Sequence, residues 1–129
     1  MEKNQFLNSS FWQSQETHIL LNPRLSPIDR QSFLRSEAHH ALRGAIGLQS
    51  SGTESSQNHQ LKLVVFDRES ILTAARSVNQ VYAIDSTDIW MSSLPIFHIG
   101  GLSIYARVYL AGCWVVEFWS QQKRNSHNS

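Results

Sequence analysis

The stretch from Leu94 to Val116 reads LPIFHIGGLSIYARVYLAGCWVV. Before it, IWMSSL (Ile89–Leu94) has the composition of a strand, and Pro95 closes that run. His98 is followed by Gly100 and Gly101, which are two of only six glycines in the chain. Leu102–Leu110 is nearly all apolar and reads as a helix, ~14 Å long at the usual rise. CWVVEF (Cys113–Phe118) reads as a second strand. Strand, helix and strand with tight connections form a βαβ unit, which implies a parallel sheet covered by helices and a right-handed crossover. A helix apolar on most sides is a buried helix. The rest of a 129-residue chain offers it little cover, which points to missing partners.

Working upstream, the hydrophobic period changes from segment to segment. AIGLQ gives a short strand at Ile46–Gln49, and LKLVVF gives the best strand of this half at Leu63–Phe66. A helix is expected over Arg68–Tyr82, with Asp67 as N-cap and Glu69 at the positive end of the helix dipole. Ile71, Ala75, Val78 and Tyr82 then fall on one face. Asp85 to Asp88 is a polar turn. The fold class is therefore α/β, a partial three-layer arrangement with a parallel-type sheet and βαβ units.

The first 44 residues read as a polar N-terminal segment with one helix. Phe6, Phe11 and Trp12 are scattered in it without a clear period. The helix starts at Ser26 as N-cap with Pro27 at the first position. Ile28, Phe33, Leu34, Ala38 and Leu42 share one side of it, and Gly44 ends it. Residues 119–129 are polar and without period, and read as a disordered tail.

Apolar residues make up 41% of the chain, enough for a modest core. Eleven Lys and Arg against ten Asp and Glu leave a net charge of +1, which gives no electrostatic footprint for nucleic acid. No apolar run is long enough to span a bilayer and no secretory leader is visible, so the expected location is cytoplasmic. Six histidines are scattered, and only His39 and His40 are adjacent. Neighbouring side chains on a helix diverge, so that pair is a poor chelate and no metal site of the chain's own is expected. The single cysteine, Cys113, sits in an apolar strand and reads as a buried, inert thiol.

Two loops carry chemistry-bearing residues. In α/β sheets, ligands bind outside the carboxyl ends of the strands. In Ser50–Gln60, the small residues Ser50, Ser51, Gly52 and Thr53 let backbone N–H groups approach an anion, and Lys62 beyond them adds positive charge. The alternative is a solvated hairpin loop. In LPIFHIGG, Pro95 stiffens the turn and the two glycines let the backbone come close to something. Here the alternative is a half-buried His98 whose ring nitrogen is bonded to backbone.

Taken together, these residues resemble a family. SSLPIFHIGGLSIYARVYLAGCWVV is similar to the "LPLFHxGG…LxxGxxVV" segment of the AMP-forming acyl-CoA synthetases, the adenylate-forming superfamily. The closest flavour is the o-succinylbenzoate–CoA ligase type of menaquinone synthesis. LQSSGTESSQNHQLKLVVF resembles the family's phosphate loop, "TSGTTGxPKxV", in the correct order along the chain. The resemblance covers roughly residues 45–118 and implies a partial AMP-binding domain there. It carries phosphate binding to Ser50, Ser51, Gly52, Thr53 and Lys62, and the acyl-substrate pocket to His98, Gly100 and Gly101. The family's second glycine and its proline are replaced, since TESSQNHQLK stands where "TTGxPK" is expected.

The implied chemistry has two steps. A small-molecule carboxylic acid attacks the α-phosphate of ATP with Mg²⁺, giving an acyl-adenylate and pyrophosphate, and the thiol of CoA then displaces AMP. The family's segments resembling "YGxTE", the ribose-binding aspartate, the hinge and the catalytic lysine are expected downstream of the FHIGG region. The sequence ends before them, and WSQQKRNSHNS reads as the product of a premature stop or frameshift. No catalytic residue is assigned, and the expected function is that of a ligase fragment inactive alone. The alternatives are a small noncatalytic binding or interaction domain, or the remnant of a disrupted gene.

Overall fold

A computed structural model of the chain describes residues 3–35, 43–49 and 62–118. The expected helical continuation through Ala38 and Leu42, the loop residues Ser50–Gln60 and the C-terminal tail lie outside the described residues. A 3-10 helix, Lys3–Leu7, leads into α1 (Ser9–Trp12), and the Asn8 side chain caps α1 by accepting from the Ser10 N–H at 3.0 Å. β1 (His18–Leu20) and α2 (Pro27–Leu34) follow. Then come β2 (Ala45–Gln49), β3 (Leu63–Asp67) and α3 (Arg68–Val81). The chain closes with β4 (Ile89–Ser92), α4 (Ile99–Ala111) and β5 (Trp114–Glu117).

The βαβ unit forms where the sequence places it. β4 and β5 pair in parallel, with Ile89 opposite Trp114 and Ser92 opposite Glu117, and α4 crosses between them. The helix is longer than the expected Leu102–Leu110, because its first turn starts at the histidine turn and its last turn ends on Gly112. Gly112 adopts the left-handed conformation (φ 67°), and its N–H reaches the Val108 carbonyl at 2.9 Å.

The strands do not share one sheet among the described residues. They form a three-stranded sheet in the order β1-β2-β3 and a separate pair, β4-β5. β1 runs parallel to β2, whereas β2 and β3 are antiparallel with Ala45 opposite Asp67 and Gln49 opposite Leu63. The physical reason lies in the connection. A parallel return needs a crossover element with an apolar face, and SSGTESSQNHQLK offers none. β1 itself was not expected, since HIL is too short to show alternation.

α4 finds much of its cover in the N-terminal segment. Phe6, Phe11 and Trp12 are buried in one cluster with Leu102, Tyr105 and Ala106. Phe6 meets Tyr105 edge-on at 6.2 Å, Trp12 stacks on Tyr109 at 6.1 Å, and the Trp12 indole donates to the Phe6 carbonyl at 2.7 Å. The aromatics that looked scattered in sequence thus converge on the most apolar helix, and α3 packs on the same helix through Ile71, Leu72 and Ala75. Two expected details differ. Ile28 is exposed, while Phe33 holds the buried side of α2. Tyr82, at the C-cap just past the end of α3 at Val81, is exposed.

Helix starts follow local chemistry. Ser26 caps α2 by accepting from the Asp29 N–H at 3.2 Å, as its position in SPID predicts. Asp67 occupies the N-cap position of α3 with extended backbone, yet its side chain makes no capping bond.

Candidate functional site

The turn from β4 into α4 is the best-defined part of the candidate site. Ser92, at the end of β4, is buried, and its hydroxyl donates to the Leu94 carbonyl at 3.2 Å. The His98 N–H closes a turn onto the Pro95 carbonyl at 3.0 Å. His98 then caps α4: its Nδ1 accepts from the Gly100 N–H at 3.2 Å, and its carbonyl accepts from Leu102 N at 2.9 Å. An Nδ1 that accepts carries no proton. The neutral ring therefore bears its hydrogen on Nε2 and presents a donor there.

The glycine pair has a steric cause. A Cβ at Gly101 would overlap the Pro95 carbonyl oxygen and lie 2.6 Å from the Leu94 carbonyl oxygen, which is backbone and cannot yield. A Cβ at Gly100 would lie 2.5 Å from Leu94 Cδ1. The first turn of α4 is thus pressed against the Leu94–Pro95 backbone, and glycine at 101 is what permits it. His98, Gly100 and Gly101 are accordingly brought together, and the bond from a ring nitrogen of half-buried His98 to backbone is present as the plainer reading of the sequence had it.

The phosphate-loop residues Ser50, Ser51, Gly52 and Thr53 lie outside the described residues. The strands that flank them, β2 and β3, are an antiparallel pair. Lys62 is exposed just before β3, on the three-stranded sheet, whereas His98 follows a strand of the other sheet. Two depressions, of about 360 and 510 Å³, lie between Trp12, Arg68 and Arg76 and beside Tyr105, Cys113 and Trp114. Neither is lined by His98 or Lys62. Cys113 is half-buried just ahead of β5, and burial pushes its thiol pKa up, which suits an inert thiol. Among the described residues no group of three or more His, Cys, Asp or Glu could hold a metal ion, and no helix is long and apolar enough to cross a membrane.

Sequence reasoning missed a buried cation. Arg68, only 4% exposed at the start of α3, donates to the Phe11 carbonyl at 2.9 Å, the Glu16 carbonyl at 2.7 Å and His18 Nδ1 at 2.5 Å. Its guanidinium also lies over the Phe11 ring, 5.2 Å from the centroid. The His18 pKa is held below its ordinary value, first by burial and then by the Arg68 charge. One side chain thereby ties the N-terminal segment to α3. A second arginine, Arg107, lies over the Trp90 ring at 5.0 Å. Only the position of Arg68, directly after a strand and at a helix start, could have hinted at this in sequence.

Comparison with known proteins shows a likeness to acyl-CoA ligases of the AMP-forming family. No protein-family model matches the chain. It is, however, 30% identical over 104 residues to the 2-succinylbenzoate–CoA ligase of Enterococcus faecalis, a match that takes in 76% of this chain. Among solved structures it resembles o-succinylbenzoate CoA synthetase (MenE) from Bacillus subtilis, a double mutant bound with a product analogue. There the TM-score is 0.51 at 21% identity, over 85% of this chain and 26% of that one. The chain spans about a fifth of the length of the curated relative (21%). It is a partial-length, o-succinylbenzoate–CoA ligase-like relative within the AMP-forming family.

Proposed function

We propose that this chain is a piece of an acid-activating CoA ligase, of the type that acts on o-succinylbenzoate, and that it does not catalyse adenylation alone. The observation that carries the reading is the β4–α4 turn. A histidine committed through Nδ1 to the first turn of an apolar helix, with glycine where backbone meets backbone, suits a wall against which a substrate carboxylate rests. In this reading residues 45–118 form a partial AMP-binding domain, preceded by the segment 1–44 and followed by 119–129. The cellular setting is cytoplasmic.

Each residue has a role in the intact enzyme. The N–H groups and hydroxyls of Ser50, Ser51, Gly52 and Thr53, with the Lys62 ammonium, hold the phosphates of ATP. Gly100 and Gly101 bring the helix start close to the acyl group, and His98 offers Nε2–H to the acid. A carboxylate oxygen attacks the α-phosphorus and pyrophosphate leaves. The CoA sulfur then attacks the acyl carbon and AMP leaves. When bound, Mg²⁺ would offset phosphate charge in the first step. Among the described residues no group of three or more His, Cys, Asp or Glu could hold it. Placing all these groups together is worth ~7–11 kcal/mol of barrier, which separated groups do not provide.

The test is acid-dependent ATP–pyrophosphate exchange by the purified chain, with o-succinylbenzoate and a panel of fatty and aromatic acids. No exchange above a Lys62→Ala control is expected. Exchange clearly above that control would overturn the claim that the chain is inactive alone.

A further inference from the structure

Among the described residues, tyrosine apart, the buried polar or charged side chains are Arg68 and Ser92. Arg68 ties the N-terminal segment to α3. Ser92 is 1% exposed, at the last paired position of β4 and beside Glu117, which accepts from Tyr105 of α4. A parallel strand covered by a helix ordinarily buries an apolar side chain there, and a hydroxyl in that place is costly unless it is bonded. Ser92 meets that need two residues on, by donating to the Leu94 carbonyl at 3.2 Å. The peptide between Leu94 and Pro95 has no N–H, so its carbonyl is its one hydrogen-bonding handle. The first turn of α4 rests on the same group: a Cβ at Gly101 would lie 2.6 Å from the Leu94 carbonyl oxygen, and one at Gly100 would lie 2.5 Å from Leu94 Cδ1. Gly100 in turn supplies the N–H that His98 Nδ1 accepts, at 3.2 Å. Three contacts thus run in series from Ser92 to the imidazole.

We propose that Ser92 is a positioning residue: by holding the Leu94 carbonyl it keeps the His98 ring in the tautomer that offers Nε2–H to the acid substrate. The inference rests on the reading of His98 as the group that meets the acid. Without the Ser92 hydroxyl, the Leu94 carbonyl is free to turn and the glycine pair loses its fixed support. The Gly100 N–H then leaves Nδ1, and the ring proton distributes over both nitrogens. A ring with its proton on Nδ1 has no donor at Nε2 for a carboxylate. The phosphate contacts assigned to Ser50–Thr53 and Lys62 do not depend on this turn, since Lys62 precedes a strand of the other sheet. The loss therefore falls on the acid and not on ATP.

The experiment has two arms. In the full chain, the ring-nitrogen NMR shifts of His98 are measured in alkaline buffer. Widely separated shifts, those of a single Nε2–H tautomer, are expected for the unaltered chain. Ser92→Ala should draw them together, and so should Ser92→Cys, which fills the same space with a poor donor. Ser93→Ala, exposed one residue on, should leave them unchanged. Circular dichroism establishes that each variant is folded, and either Ser92 variant alone suffices. The second arm uses a chimera in which residues 45–118 replace the matching stretch of the Enterococcus faecalis ligase. There Ser92→Ala should raise the o-succinylbenzoate requirement for ATP–pyrophosphate exchange at least about threefold and leave the ATP requirement unchanged. Folded Ser92 variants with unaltered His98 shifts, or a Ser92→Cys variant indistinguishable from the unaltered chain, would overturn the proposal. If His98→Ala moves the acid requirement and Ser92→Ala does not, the proposal falls while the reading of the site stands. If His98→Ala moves neither requirement, the reading falls and takes the proposal with it.

Discussion

Replacing Arg68 by alanine should unfasten the N-terminal segment from α3. The guanidinium serves three acceptors, the carbonyls of Phe11 and Glu16 and the His18 ring, and is 4% exposed. An intact bond to a charged donor contributes ~1.5–3 kcal/mol, and an acceptor left buried without a partner costs ~1–3 kcal/mol. Only the Phe11 carbonyl is fully enclosed, while the other two acceptors are part-buried and regain water. The expected loss is therefore nearer the value of one buried bond plus two partial ones, about 3 kcal/mol. For a domain of this size that lowers Tm by about 10 °C. Arg68→Lys should recover a minority of the loss, because one ammonium cannot reach three diverging acceptors. Arg76→Ala is the control: its ion pair with Glu69 is 3.7 Å long and exposed, worth under ~1 kcal/mol. Thermal and urea melts of the variants decide the matter. If Arg68→Ala melts within about 2 °C of Arg76→Ala, the tether is not what holds the N-terminal segment.

Acid should weaken the same tether. His18 accepts from Arg68 only while neutral, and its folded pKa lies below the unfolded value, so its contribution is complete above about pH 6.5 and is lost as pH falls through the depressed folded value; His18→Asn, which keeps an acceptor near Nδ1 but does not titrate, should flatten that part of a stability-versus-pH curve. Gly101→Ala should cost about 3 kcal/mol in urea melts, since its Cβ meets backbone, whereas Gly112→Ala, in open space at positive φ, should cost about 1 kcal/mol. His98→Ala should lower stability by about 1 kcal/mol through the lost cap, and His98→Asn should restore most of it.

The βαβ unit was legible because its signals are local. A proline, a glycine pair and an apolar helix between two apolar strands leave few alternatives. β2 and β3 were legible as strands, but their antiparallel pairing only as the hairpin alternative, since strand direction depends on the connection rather than on the strands. The N-terminal core escaped for a different reason. α1 has four residues and the 3-10 helix five, too short for any periodicity to register, and Phe6, Phe11 and Trp12 acquire meaning only against Tyr105 and Tyr109. Arg68 was invisible because two of its three acceptors are backbone carbonyls, which every sequence has, and the third, the His18 ring, lies 50 residues away. At the site, the glycine pair pointed correctly to close backbone approach. What it approaches is the chain's own Leu94–Pro95 backbone.

The central claim is that residues 45–118 carry part of an acid-activating site. A chimera tests it most directly: these residues replace the matching stretch of the Enterococcus faecalis ligase, and o-succinylbenzoate-dependent ATP–pyrophosphate exchange is measured as a function of ATP and of acid. Exchange is expected, with Lys62→Ala raising the ATP concentration required and His98→Ala raising the acid concentration required. A folded chimera with no exchange, or one whose exchange is indifferent to both substitutions, would contradict the claim.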